Sequence, residues 1–146
     1  MKKLLKIMGE KLRSGEDLIL VTVIASSGAT PRGAGARMLV GREGRVCGTI
    51  GGGAVEYRSE HIAAEQLAKK ADVQNLGMIC GGDVKVFFHY IPAGDENAIA
   101  VCGEAAERFS RGESFWLLTD LKNGGKLSVV DKGGAPEWLL PHLSGR

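Results

Sequence analysis

The sequence predicts a single α+β domain in which helices pack on a mixed β-sheet. Residues 18–25 form a nearly continuous apolar and β-branched run, which is typical of a strand buried on both faces of a sheet. Segments with helical spacing alternate with pairs of strands joined by short glycine-containing turns. This order favours an α+β sheet over a doubly wound parallel one. Of the 146 residues, we assign 1–133 to the domain and 134–146 to a C-terminal tail.

The first half of the chain predicts a helix, a central strand and a hairpin. Apolar residues recur at helical spacing over 2–14, and Gly15 follows as a stop at the C-terminal end of that helix. The apolar run at 18–25 supplies the central strand. Residues 37–41 and 45–50 then flank a short turn that contains glycine, which predicts a hairpin.

The second half repeats the alternation of helix formers and strand pairs. The predicted elements are a helix over 53–70, strands over 75–79 and 84–91, a helix whose apolar stripe runs from Ala98 to Phe109, and a hairpin of strands 115–121 and 126–130.

Composition and charge exclude several classes of protein. A net charge of +2 is too small to predict a nucleic-acid or anionic-membrane partner. The cysteines are Cys47, Cys80 and Cys102, which lack both the spacing of a zinc site and the even number of a secreted disulfide framework. The sequence has neither a signal-peptide core nor an apolar stretch of about 18 residues. We therefore expect a cytoplasmic protein with reduced thiols that binds neither nucleic acid nor membrane.

Most of the 22 glycines fall in three clusters beside predicted strands, and the first cluster lies within 27–38. Glycines let backbone N–H groups approach a ligand closely, and successive exposed N–H groups form a concavity that binds anions. Hydroxyl and guanidinium side chains in the same run add donors suited to phosphate. The candidate ligand-binding residues of this run are Ser27, Gly28, Thr30, Arg32, Gly33, Gly35 and Arg37.

The second cluster, Gly51 to Gly53, leads from a strand into a helix. Bare amides at a helix N-terminus attract anions, so these glycines are also candidate binding residues. Glu56 in the first helical turn joins the candidates, although it also suits a helix start without any ligand. The alternative for the cluster is a tight turn only. Neither cluster matches a dinucleotide-binding fingerprint or a P-loop.

The third cluster is Cys80-Gly81-Gly82, which we predict to lie in a turn between two strands. A thiol exposed in such a turn, with its pKa lowered by neighbouring amides, would be a soft metal ligand or a sulfur acceptor. The alternative is a small buried apolar residue at a strand end. Cys47 and Cys102 have the pattern of core residues, and His89 that of a strand residue.

Together the three clusters resemble the N-terminal domain of the XdhC/CoxI family, and the resemblance covers about residues 5–92. It implies a chaperone, more a maturation factor than an enzyme, that binds molybdenum cofactor (molybdopterin) transiently and supports its sulfuration. It implies Cys80 as the residue that faces the metal. The implied partners are an apo molybdenum hydroxylase of the xanthine dehydrogenase type, a cysteine desulfurase and a second copy of the chain.

Two other interpretations of the same loops stay open. One is a small enzyme, a transferase or oxidoreductase, that binds a nucleotide or phosphate ligand. The other is a purely structural interaction module. Longer members of the family carry a second, Rossmann-like domain, for which we expect no room in 146 residues.

Overall fold

A computed structural model describes residues 1–26, 33–69, 77–81, 84–131 and 133–134, with the backbone alone at 25–26 and 77–81. The described residues form three helices and two antiparallel sheets, which confirms a small α+β domain. The predicted tail from Gly134 onward lies almost entirely outside the described residues, so its boundary stays a prediction.

The elements follow the predicted order, with shifts at several ends. They are α1 (Lys2–Arg13), β1 (Leu18–Ser26), β2 (Arg37–Gly41), β3 (Gly44–Gly48), α2 (Gly53–Ala68), β4 (Gly77–Gly81), β5 (Val84–Ile91), α3 (Glu96–Ser110), β6 (Trp116–Asp120), a short 3-10 turn (Leu121–Asn123) and β7 (Lys126–Val130).

The main sheet has five strands in the order β3-β2-β1-β5-β4, and β6 pairs with β7 in a separate two-stranded sheet. Every pairing among the described strands is antiparallel, whereas the sequence led us to expect a mixed sheet. The reason lies in the α2 crossover. It joins β3 and β4, which run in the same direction, but these strands lie at opposite edges and never pair.

The two faces of the main sheet carry separate cores because β1 alternates between them. Leu18 and Leu20 point into one core with α1, α3 and the β6–β7 hairpin. Ile19 and Val21 point into the other core with α2. All four side chains are fully buried, as expected for the central strand of the sheet.

The directions of the strands bring the glycine clusters to one end of the sheet. Strands β1, β3 and β4 run the same way, since β1 is antiparallel to β2 and β5, and these are antiparallel to β3 and β4. Their carboxyl ends are Ser26, Gly48 and Gly81. The three clusters follow or include these ends. None of the described helices is long and apolar enough to cross a membrane.

Candidate functional site

The second glycine cluster is organised by Glu56, the acidic residue of the first turn of α2. Its carboxylate accepts hydrogen bonds from the amides of Ile50 at 2.9 Å and Gly52 at 3.3 Å, and from the hydroxyl of Thr49. The Thr49 hydroxyl in turn accepts from the Gly51 amide at 3.1 Å. Glu56 therefore occupies amides that the sequence suggested for a ligand, and it holds the loop in shape.

The charge of Glu56 is stabilised by the same contacts. The hydrogen bond from Thr49 is the largest cause that holds the Glu56 pKa below its ordinary value, and the two amides add to it. Arg45 pairs with the carboxylate at 3.3 Å, but its side chain is 45% exposed, so this ion pair contributes little stability.

The backbone of Gly51, Gly52 and Gly53 is held in a conformation that favours glycine. Their φ angles are 113°, 76° and 70°, and no heavy atom of the described residues lies within 4 Å of where a Cβ would stand. Within the described structure, the space beside these three residues is therefore open. Ligand binding by these glycines stays a prediction, and the amides of Gly51 and Gly52 are already taken.

Arg37, from the first cluster, is a partly buried cation that lacks a negative partner among the described residues. Its guanidinium donates only to neutral acceptors, the carbonyl oxygens of Gly35 at 3.2 Å and Leu117 at 3.1 Å and the hydroxyl of Thr119 at 3.2 Å. Its Nε is buried and has no hydrogen-bond partner in the described chain. Burial lowers the Arg37 pKa to about 10, with no carboxylate to offset the effect.

A groove of about 310 Å³ lies between the first cluster and the end of β3. Its lining includes Gly35 and Arg37 from the first cluster and Gly48 and Thr49, which precede the second cluster, with the start of α1 along one side. The structure thus places part of the first cluster and the segment that leads into the second around one cavity, next to Arg37, which has no counter-ion among the described residues. Gly33, at φ 81°, belongs to the same turn as Gly35.

Cys47 also lines this groove, which the sequence did not indicate. It is half-buried, packs against the core below and is a free thiol. Cys47 pairs with Leu39 and lies on the same face of the sheet. The alternation of side chains along β3 was therefore the signal that could have indicated on which face Cys47 lies. Cys102 is a core residue, as predicted, and burial raises its pKa to about 11.

The third cluster differs from the prediction in its backbone. Cys80 and Gly81 lie in β4, paired with Lys85 and Val84, and not in a turn. The strand extends two residues further than predicted because these positions form ladder pairs with β5. The side chain of Cys80 lies outside the described structure. Among the residues that are described, no group of three or more His, Cys, Asp and Glu is placed to hold a metal ion.

Five candidate residues lie outside the described structure: Ser27, Gly28, Thr30, Arg32 and Gly82. Their roles stay predictions, and so do the ligand contacts of the other candidates.

Two buried polar residues near Arg37 were missed by the sequence interpretation. Thr22 is 3% exposed and His89 is 8% exposed. Neither Thr22 Oγ1 nor His89 Nδ1 has a hydrogen-bond partner within the described ranges. Burial lowers the pKa of His89, so its imidazole is neutral. Both residues have apolar neighbours on each side in the sequence, so the sequence gives each of them the pattern of an ordinary position in a buried strand.

A second cleft, of about 550 Å³, lies at the opposite end of the sheet, around the β2–β3 turn and the end of α1. Four of its charged side chains form two pairs, Lys11 with Glu16 at 3.3 Å and Arg42 with Asp17 at 3.8 Å, and Arg45 pairs with Glu56. Although this cleft is larger, we consider the groove at Arg37 the better candidate, because Arg37 is partly buried and has no counter-ion among the described residues.

Comparison with known proteins gives a family match for about half of the chain. Residues 11–79, which include the first two clusters and most of β4, match the XdhC and CoxI family. Over this segment, the chain is similar to members of the XdhC and CoxI family. The matched segment ends before the β6–β7 hairpin, so the contacts of Arg37 with Leu117 and Thr119 join the family segment to a part of the chain beyond it.

This XdhC and CoxI segment also has a curated relative. The chain is 30% identical over 98 residues to the molybdenum cofactor insertion chaperone PaoD of Escherichia coli (strain K12). The alignment covers 60% of this chain and 31% of PaoD. The chain therefore spans about a third of the length of this relative.

Proposed function

We propose that this protein binds molybdenum cofactor and inserts it into a molybdenum hydroxylase of the xanthine dehydrogenase type. The observation that carries the proposal is Arg37, a partly buried cation without a described counter-ion, beside the groove between the first glycine cluster and the end of β3. A buried charge is costly unless it is paired, so an anionic ligand is the natural complement of this site. The family match and the similarity to PaoD support the cofactor as that ligand.

The anionic end of the cofactor fits the donors of this chain. Molybdopterin carries a phosphate, and the Arg37 guanidinium on the groove is a donor of the type that binds phosphate. The amides of Gly51 and Gly52 already donate to Thr49 and Glu56, so Gly53, at the start of α2, is the glycine whose amide we propose as a further donor. The sequence adds Arg32 and the hydroxyls of Ser27 and Thr30 to the proposed set. In this scheme Glu56 binds no ligand, and its role is to hold the loop open in the correct shape.

The metal end of the cofactor is chemically soft. It is therefore bound by a soft ligand such as a thiolate, or it is left without a ligand from the protein. The cofactor supplies a metal held by dithiolene sulfurs, whose oxygen-transfer chemistry belongs to the enzyme that receives it. In this chain Cys47 is a thiol on the groove, and Cys80 is the thiol that the sequence favoured. We propose Cys80 as the residue that faces the metal, and Cys47 as a second thiol that shields the bound cofactor.

The partners follow from the same scheme. We propose an apo molybdenum hydroxylase as the acceptor, a cysteine desulfurase as the source of sulfur, and a cytoplasmic setting in which thiols stay reduced. A homodimer is part of the proposal, because a second copy would cover the groove during transfer. We also propose that residues 1–133 form the binding unit and that 134–146 are a tail.

The proposal is tested by purifying the protein from cells that make molybdenum cofactor and measuring bound pterin and molybdenum. We expect both to copurify and to restore activity when the loaded protein is mixed with an apo molybdenum hydroxylase. A protein that retains no pterin would contradict the proposal. Stabilisation by ATP, CTP or NAD without stabilisation by pterins would instead favour a small enzyme acting on a nucleotide ligand.

A further inference from the structure

The buried polar atoms near Arg37 lie together on one face of the main sheet. Thr22 on β1 is the direct cross-strand partner of Arg37 on β2. His89 on β5 is diagonal to Thr22, since Thr22 pairs with Phe87 two residues away. Direct partners have Cβ atoms about 5 Å apart, and diagonal neighbours about 7–8 Å apart. All three side chains share the face of Leu20, which belongs to the core under α1 and α3.

Each of the three side chains has a buried polar atom without a hydrogen-bond partner in the part of the chain that the structure describes: Arg37 Nε, Thr22 Oγ1 and His89 Nδ1. A buried polar group without a partner costs roughly 1–3 kcal/mol, and three close together are unusual in a packed core. Two of them are donors in every state, the guanidinium N–H and the hydroxyl. A neutral histidine adds a third donor when Nδ1 carries its proton. Such a set is complementary to an oxyanion with several acceptor atoms.

The β6–β7 hairpin covers this cluster. Leu117 and Thr119 on β6 accept the hydrogen bonds of Arg37, and the backbone of Gly125 lies against the ring of His89. A Cβ at Gly125 would lie only 2.7 Å from His89 Cδ2. The backbone of the hairpin therefore packs directly on the His89 ring and covers the cluster.

The two strands of the hairpin are held in different ways. On the β7 side, Asn97 of α3 donates to the Leu127 carbonyl at 3.0 Å and accepts from the Leu127 amide at 2.9 Å. Arg108 of α3 binds Asp131, just after β7, at 2.9 Å. Leu117 of β6 packs against the core, and the described side-chain hydrogen bonds from the main sheet to Leu117 and Thr119 come from Arg37. A two-stranded hairpin has little stability of its own, so β6 can separate from the sheet while β7 stays on α3.

We propose that the β6–β7 hairpin is a lid over a buried phosphate-binding site formed by Arg37, Thr22 and His89. This site takes the phosphate monoester end of the ligand. Arg37 holds the lid shut through neutral acceptors and turns to the phosphate when the lid opens. Ligand binding and lid closure therefore compete for one guanidinium. This inference rests on the proposed function for the identity of the ligand but not for the existence of the site.

The test uses the full chain with sodium phosphate as the probe and sodium chloride at equal ionic strength as the control. Binding is measured by calorimetry, and lid opening by hydrogen exchange of the amides of 116–120. We expect saturable phosphate binding and faster exchange of those amides when phosphate is bound. No binding, or binding with unchanged exchange, would overturn the lid.

Three substitutions at the site and one control substitution sharpen the result. Arg37→Met should weaken phosphate binding roughly tenfold or more, whereas Arg58→Met, which removes an exposed arginine of α2, should leave it unchanged. Thr119→Val removes one acceptor of the lid and should tighten binding about threefold to fivefold. Thr22→Val should weaken binding by a similar factor without loss of fold stability, because it removes a hydroxyl that is unpaired in the closed form. Equal affinities for Thr119→Val, Thr22→Val and the wild type would overturn the site even if Arg37→Met failed to fold.

A phosphate ester separates this inference from the proposed function. Glycerol phosphate should compete with free phosphate, and failure to compete would overturn the assignment to an ester. If phosphate opens the lid but no pterin is ever retained, the proposed function fails and the site stands. If pterin is retained while phosphate and Thr119→Val have no effect, the lid fails and the proposed function stands.

Discussion

The carboxylate of Glu56 accepts a hydrogen bond from the backbone amide of Ile50 at 2.9 Å and thereby fixes the end of β3 to the start of α2. The carboxylate lies where a bound anion would be placed in many glycine loops. Here the protein supplies its own anion to one part of the loop, and the open side of the glycines stays available. Within this loop, Glu56 therefore keeps the backbone in shape, and the open side of the glycines is left for a ligand.

Glu56→Gln should destabilise the fold by roughly 1–3 kcal/mol, since a charged acceptor of several hydrogen bonds is replaced by a neutral one. Chemical denaturation measures the free energy of unfolding. Glu65→Gln is the matched control, because Glu65 lies on the same helix with its side chain 71% exposed and should change stability by less than about 0.5 kcal/mol. Equal effects of the two substitutions would contradict the role of Glu56.

The contribution of Glu56 should depend on pH with a definite sign. Its pKa in the folded protein is held below the ordinary 4.5, mainly by the hydrogen bond from Thr49. A carboxyl group of this kind adds stability that is complete above its unfolded pKa and is lost as the pH falls through its folded pKa. The stability difference between wild type and Glu56→Gln should be constant near neutral pH and shrink below about 4.5. A difference that stays constant through the acid range would contradict this.

The glycines of the site should separate into structural and ligand-contacting positions. Gly48 has φ 82°, and a Cβ there would lie 2.4 Å from the carbonyl oxygen of Arg37, whereas Gly51 has φ 113° and open space. Gly48→Ala should therefore cost at least about 2 kcal/mol more stability than Gly51→Ala. Gly51→Ala should fold but retain less pterin, because the new methyl group enters the space that a ligand would use. Thermal denaturation and pterin analysis of both variants check this, and full pterin retention by Gly51→Ala would count against a ligand at the loop.

The two described thiols should differ in reactivity. Cys102 is 4% exposed and its pKa is raised to about 11 by burial, so little thiolate forms at neutral pH. Cys47 lines the groove and should be alkylated by iodoacetamide much faster in the native protein, as followed by peptide mass spectrometry. Bound pterin should slow the reaction of Cys47 and leave Cys102 unchanged. Equal rates for the two thiols would show that the groove does not expose Cys47.

The sequence predicted the order of the elements because the apolar periods are strong and the turns contain glycine. It also located the first glycine cluster, of which Gly35 and Arg37 line the groove. It missed Thr22 and His89, since a polar residue inside an apolar strand gives no sign of whether its hydrogen bonds are satisfied. The sequence could not predict that Arg37 donates a hydrogen bond to β6 either, because that contact joins residues 80 positions apart. The extension of β4 to Gly81 was missed because glycines at a strand end also fit a turn.

The most direct measurement is the pterin content of Arg37→Met and Arg58→Met, purified beside the wild type from cells that make molybdenum cofactor. If the groove at Arg37 is the cofactor site, wild type and Arg58→Met retain pterin, and Arg37→Met loses roughly nine-tenths or more of it, as expected for the loss of a charged hydrogen-bonding partner. Circular dichroism of each sample establishes that the variants are folded. Equal pterin in a folded Arg37→Met and in the wild type would contradict the account.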